Sequence, residues 1–425
     1  MNAVMAVILT ALVITVGVSI AVPQATLVAG ALTLLAAVVG LLIVRRVQLV
    51  ISLVLVGCGI AALVAGLILG HVPTVPEALT VNQDLIGMLA SVSFLGLITG
   101  ASPPRTPRFT GAKAVWRTAA AVHLLGSVIN ISALNLIGGR LSVKGRLSRL
   151  NELLLSRSFS AAAFWSPFWG ANAAAIAYAP GAKTNVLVVC GLTLTAVAFL
   201  YSITAVVRRF RGELDGYHGY ALSVSTLQVP IALVVLVLTL HLLLPDVPIT
   251  RLVLLSALGV TVVVLMARSA RTAPDRLVSH MRFGLPGMTN ELTLFAAAGV
   301  LAIGLSSLFS AVQLTLLVTE FTVPVAWLAT IVMALMSLIG VHPVISIAAV
   351  AAIIAPLHPD PTLYAMCGMI AWGGSAAAGP ISGLNIFLNG RFQADNFAIA
   401  RMNLLYLVLI LTLAGPVLML CNLMS

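Results

Sequence analysis

Two segments 213 residues apart carry the same arrangement of residues able to do chemistry: Ser166-Pro-Phe-Trp-Gly-Ala-Asn172 and Gly379-Pro-Ile-Ser-Gly-Leu-Asn385. Their shared part is Pro-x-x-Gly-x-Asn. Proline removes a backbone donor and glycine loosens the helix, so this pattern inside an apolar run predicts a helix broken near its middle. Half-helix N-termini then offer N–H groups and positive dipole ends to an anion, while freed carbonyls and amide oxygens suit a cation. Asn172 and Asn385 each bring one oxygen acceptor and one NH2 donor, which fits a sodium ion on one side and an anionic substrate on the other. The ordinary alternative for each is an interhelical hydrogen bond. Around them, Ser166, Pro167, Gly170, Gly379, Pro380, Ser382 and Gly383 complete the candidate binding set.

A second pair of segments recurs at an offset of 214: Gly126-Ser-Val-Ile-Asn-Ile-Ser132 and Gly340-Val-His-Pro-Val-Ile-Ser346. They supply Ser127, Asn130, Ser132, Gly340, His342 and Ser346 as further candidates for substrate or ion binding. His342 has two readings: an imidazole that binds substrate or couples to protons, and one that merely caps a turn. His123 reads as a packed, hydrogen-bonded residue. Trp165, Trp169 and Trp372, with Phe164 and Phe168, are candidates to line a cavity for a partly apolar substrate, against interfacial anchoring and packing as the ordinary explanation.

Missing features discriminate too. Neither Pro-x-x-Gly-x-Asn core holds an Asp, Glu, Lys or Arg. A cation/proton antiporter, the alternative within transport, uses a buried carboxylate, and Glu152, Glu291 and Glu320 fall near expected span ends. Arg157 has two readings: a side chain that reaches the site from the cytoplasmic side of its helix, and, as the ordinary one, a side chain that snorkels to the interface. No Walker-type loop is present, and Cys58, Cys190, Cys367 and Cys421 sit singly without metal spacing. No metal or cofactor is expected beyond sodium as a coupling ion. A membrane-embedded enzyme acting on lipid-linked substrates would need catalytic acids or histidine clusters on facing loops, and loops 71–83 and 357–361 are poor in both.

The elements that must position these residues follow from composition. Of 425 residues, 61% are hydrophobic and 8% charged, against roughly 25% charged in a soluble domain. Apolar runs of membrane-spanning length recur throughout. The net charge of +11 is scattered between those runs, as cytoplasmic loops require, and does not imply nucleic acid. Spans are expected at 3–22 (retained rather than cleaved), 26–44, 48–70, 84–100, 152–179, 184–206, 227–244, 251–267, 289–309, 362–388 and 403–423.

Placing the basic residues orients them. Arg45 and Arg46 put the N-terminus in the cytoplasm, the C-terminus outside, and both the cluster at Arg105–Arg117 and that at Arg140–Arg149 inside. The apolar run between these clusters must therefore enter and return, as a re-entrant hairpin within 112–139. A second hairpin, 313–356, opens from the other side. Only Lys183 and Arg251 then fall outside the cytoplasm. The expected fold is an all-α polytopic membrane protein of about 11 transmembrane helices plus two opposed re-entrant hairpins in an inverted repeat. Residues 1–25 form an extra N-terminal span, 26–215 the first repeat and 216–425 the second.

Eleven spans, opposed hairpins and a broken helix after each hairpin resemble the ion transporter superfamily, particularly its divalent anion/sodium symporter branch. The resemblance runs from the second span onward. It departs at the tips: the branch carries Ser-Asn-Thr, whereas Ser127 and Asn130 are separated here and the second tip reads Gly340-Val-His-Pro. It implies an elevator mechanism, with hairpins and broken helices sliding against a scaffold, and a homodimer formed through that scaffold. The expectation is a secondary transporter, not an enzyme, that moves a small organic anion across the bacterial inner membrane with sodium or protons.

Overall fold

The computed structural model describes residues 1–99, 109–220, 224–312 and 316–425; Arg105, Arg108 and the opening residues of the second expected hairpin lie outside these. Among the described residues every regular element is helical, and extended pairing is limited to two isolated bridges. The first part of the chain forms α1 (Asn2–Val18), α2 (Ala25–Leu41), α3 (Arg46–Ile68), a short α4 (Val75–Leu79) and α5 (Gln83–Ser93). Next come α6 (Gly111–Ile129), α7 (Ile131–Leu141), α8 (Arg149–Ser160), α9 (Gly170–Ala177) and α10 (Thr184–Arg209). The second part holds α11 (Val224–Leu243), α12 (Ile249–Ser269), α13 (Ala273–Ser279) and α14 (Thr289–Ala311). It ends with α15 (Val323–Leu338), α16 (Pro343–Ile354), α17 (Pro361–Ala378), α18 (Gly383–Phe392) and α19 (Asn396–Met424).

Six helical stretches are long and apolar enough to cross a membrane, among them α3, α10, α12 and α19, and five shorter apolar helices accompany them. Several elements are too short to cross. At 1.5 Å per residue the 11 residues of α7 and 12 of α16 reach only about 17–18 Å, roughly half of a 30 Å hydrocarbon core. Each follows a sharp reversal from its partner helix, at Asn130 for α6/α7 and at 339–342 for α15/α16. Two expected spans are indeed broken. The first is α8, a 3-10 turn at Ala161–Phe164, and α9; the second is α17 followed by α18.

Around these sit the longer helices. A seam between α3 and α14 is made by small residues: a Cβ on Gly59 would lie 2.6 Å from the Val300 carbonyl, so only glycine admits the close approach that packs helices in a bilayer. Two stretches expected as loops are ordered as helix. Thr74 and Glu77 form a reciprocal capping box that starts α4. Pro274 in the first turn and Asp275 start α13, which runs through a π turn at His280–Gly284 toward α14. Arg268 and Arg276 donate to the carbonyls of Ile98 and Leu97 at 2.5 Å each, capping the end of the α5 segment as cations do at a helix C-terminus. The two basic residues that broke the charge pattern are also partnered. Arg251 pairs with Asp84 at 2.9 Å, and the Lys183 ammonium donates to the Ser425 backbone oxygen.

Candidate functional site

The first break is sewn to the first hairpin. The Ser166 hydroxyl donates to the Ser127 carbonyl and accepts from the Phe168 N–H at 3.2 Å. Trp169 donates its indole N–H to the Gly126 carbonyl at 2.9 Å. Trp165 donates to Nε2 of His123 at 3.2 Å, and His123 Nδ1 lies 3.1 Å from the Ser158 carbonyl. One neutral tautomer with the proton on Nδ1 satisfies both contacts. Gly126 is required at the tip: a Cβ would meet the Phe159 ring at 2.7 Å. Asn130, the turning residue, has φ 51° and ψ −136°, a region that residues with a Cβ rarely occupy. Ser127 spends its own hydroxyl on the Leu124 carbonyl. Ser132 lies elsewhere, beside Gly96 of the neighbouring scaffold segment.

The second break is built by its own side chains. Ser382 caps α18 by accepting from the Asn385 N–H at 3.2 Å, and its hydroxyl donates to the Ala376 carbonyl at 2.7 Å. Asn385 Nδ2 donates to the carbonyls of Ala377 at 3.1 Å and Gly379 at 2.9 Å, and Asn396 takes the Pro380 carbonyl. The carbonyls that the interruption frees are thus re-engaged, as a buried backbone requires. The second hairpin tip rests on this break. Gly340 has φ 101°, and a Cβ there would lie 2.5 Å from Cδ1 of Ile381. His342 caps α16, accepting from the Val344 N–H at Nδ1, and stands edge-on to Trp372 with centroids 5.1 Å apart. Ser346 is buried, its hydroxyl on the Pro343 carbonyl, and Gly383 opens α18 with free space around it.

The helix after the first break, α9, packs against α17, the helix before the second. Asn172 Nδ2 lies 3.6 Å from the Met369 sulfur, and Gly170 faces the Trp372 ring. Both Asn172 and Asn385 are fully buried, and both leave the side-chain oxygen Oδ1 without a hydrogen-bond partner. A buried acceptor left unpaired costs about 1–3 kcal/mol. The cost falls at both asparagines of the recurring Pro-x-x-Gly-x-Asn pattern. Neutral oxygens of this kind fit a hard cation such as sodium. No group of three or more His, Cys, Asp or Glu side chains suited to a metal occurs among the described residues.

A cavity of about 1100 Å³ opens beside this region. Its walls include Asn82, Asp84, Tyr178, Lys183 and His241, and its floor reaches Ala173 and Ala348, one residue from Asn172 and two from Ser346. Trp165, Trp169 and Trp372, candidates for cavity lining or packing, are not among its walls. Their rings are spent on holding the hairpin tips, through the indole donors of Trp165 and Trp169 and the Trp372–His342 contact.

One residue departs from its sequence reading and another was not singled out, Arg157 and Asn403. Arg157 does not snorkel: it is 8% exposed, donating from Nε to Asn403 Oδ1 at 2.7 Å and from Nη2 to the Met402 carbonyl at 2.9 Å. Its guanidinium lies over the Tyr406 ring at 5.6 Å, and no carboxylate pairs with it among the described residues. Asn403 in turn donates to Ser156 and to the Ala377 carbonyl, both at 3.1 Å. The signal was present in the polar run Ser156-Arg157-Ser158 inside an apolar segment, and in Asn403 facing it from α19.

No protein-family model matches the chain, and no curated protein matches it. Among solved structures, it is similar to the YdaH transporter of Alcanivorax borkumensis, a crystal structure described as revealing an unusual topology. The superposition covers 86% of this chain and 97% of that one at 15% sequence identity, with a TM-score of 0.50. At that identity, what the two chains share is a many-helix membrane fold.

Proposed function

We propose that the protein is a secondary active transporter of a small organic anion, working by alternating access and coupled to sodium. The observation that carries this reading is the pair Asn172 and Asn385. Each follows a helix break, each is fully buried, and each presents an Oδ1 without a hydrogen-bond partner among the described residues. Such oxygens complete a cation shell, and the half-helix N-termini of α9 and α18 suit the anion beside it. The likeness in fold to a transporter supports the class. Arg157 supports the sign of the cargo, since its buried charge lacks a carboxylate and is linked through Asn403 to the second break.

Sodium is favoured over protons by two features. Neither break carries a carboxylate, and His342 Nδ1 is occupied in capping α16. In the elevator reading, α6–α9 and α15–α18 slide against the other helices, and the cavity above Ala173 is the extracellular vestibule. The resemblance to the ion transporter superfamily, the inner-membrane location and a homodimeric scaffold belong to the same proposal. The test is uptake into proteoliposomes of labelled mono-, di- and tricarboxylates and sulfonates, with an inward gradient of sodium or of choline. Sodium-driven uptake of one anion that fails in Asn172→Ala supports the reading. Equal uptake with choline overturns the coupling, and normal uptake by Asn172→Ala overturns the site.

A further inference from the structure

A second, smaller pocket of about 320 Å³ lies where α8, α10 and α19 converge, away from the breaks. It is lined by Arg149, Arg209 and Arg401, one from each helix, with Ala398, Met402 and Leu405. Arg149 is paired with Glu152 at 2.7 Å. Arg209 and Arg401 have no carboxylate partner among the described residues, and the nearby Asp395 is engaged in capping α19. Two unneutralised guanidinium groups therefore share one concave site with a third beside them. Guanidinium forks match phosphate oxygens in geometry and charge.

The apolar part of the lining separates the possible sources of that phosphate. Leu405 is exposed, and exposed apolar residues flank it on the same face of α19, Leu404 and Val408. Helices α10 and α19 pack against each other, and the exposed apolar side chains of α19 adjoin the pocket. A basic pocket between membrane helices at one end of the bundle suits a lipid headgroup. We infer that this pocket binds the phosphate of an anionic phospholipid, its acyl chains lying along α19. The pocket backs onto the proposed transport site: Met402, one of its walls, gives its carbonyl to Arg157 at 2.9 Å.

The test is native mass spectrometry of the full chain in a neutral detergent, titrated with phosphatidylglycerol, phosphatidylcholine or inorganic phosphate. Each neutralisation, Arg209→Gln and Arg401→Gln, is expected to weaken phosphatidylglycerol binding about fivefold, and the pair about 25-fold, from the usual worth of one basic residue at an anionic surface. Phosphatidylcholine binding and the exposed control Arg271→Gln should not change. Raising salt on the unaltered protein, which needs no variant to fold, should erase the preference for phosphatidylglycerol. A double variant that melts like the parent yet binds phosphatidylglycerol equally well would overturn the assignment. So would displacement of the lipid by equimolar inorganic phosphate, which would make the site one for the free anion.

Discussion

Asn403 and Asn385, 18 residues apart and on different helices, donate to the same oxygen, the Ala377 carbonyl, at 3.1 Å each. Ala377 is the penultimate residue of α17, so both asparagines hold the backbone where that helix stops. Arg157 holds Asn403 in turn. A chain of three polar side chains thus joins the first broken helix to the second through α19.

That chain predicts a cost for removing its charge. Arg157→Met should leave Asn403 Oδ1 unpaired and lower stability by about 1–3 kcal/mol. Arg157→Lys should recover only part of this, since a single ammonium cannot serve both acceptors in the same planar geometry. Thermal melting of the detergent-purified variants measures both.

The repeat-related asparagines should respond differently. Asn172 makes one long contact to sulfur, so Asn172→Ala should melt within about 1 kcal/mol of the parent while losing uptake. Asn385→Ala removes two hydrogen bonds, although the Gly379 carbonyl keeps its bond from the Ser382 N–H and Ala377 keeps its bond from Asn403. It should lose uptake and about 1–3 kcal/mol of stability. Parallel melting and uptake assays separate the two behaviours.

Gly340→Ala tests the second tip. Its φ of 101° is costly for any residue with a Cβ, by about 1–2 kcal/mol, and Ile381 crowds the same space. Because the backbone dominates, Ile381→Val should not restore uptake in the Gly340→Ala background. Recovery would show that the side-chain clash, not the dihedral, had mattered.

In the proposed elevator motion, the link between α5 and α9 is a contact that sliding must break. Asn82 donates to the Tyr178 hydroxyl at 2.7 Å and to the Phe295 carbonyl at 2.7 Å. Tyr178→Phe removes one bond worth about 1 kcal/mol, so the state with a closed vestibule should gain about fivefold in population. Maleimide labelling of Ala173→Cys in a Cys58→Ser background reads this, and labelling should fall.

Much of the architecture was legible because its signals are local. Proline and glycine inside apolar runs mark the breaks before Asn172 and Asn385, and the basic clusters on either side of 114–138 demand a returning hairpin. Asn172 and Asn385 stood out through the repeat alone. What could not be read depends on long-range packing. Arg157 would snorkel on an isolated helix, but α19 covers it and supplies Asn403, 246 residues away. The tryptophans read equally as lining or packing until the indole donors were placed on Gly126 and His123.

The most direct test of the paired-asparagine site is a ligand-induced melting shift. Purified protein is heated with each member of a carboxylate, sulfonate and oxyanion panel, in sodium and in choline, alongside Asn172→Ala. A bound ligand at a hundredfold excess over its dissociation constant stabilises by about 2.7 kcal/mol. The account predicts at least one organic anion that stabilises the parent in sodium, much less in choline, and not at all in Asn172→Ala. An equal shift in Asn172→Ala, or shifts that follow only pH or cations, would contradict it.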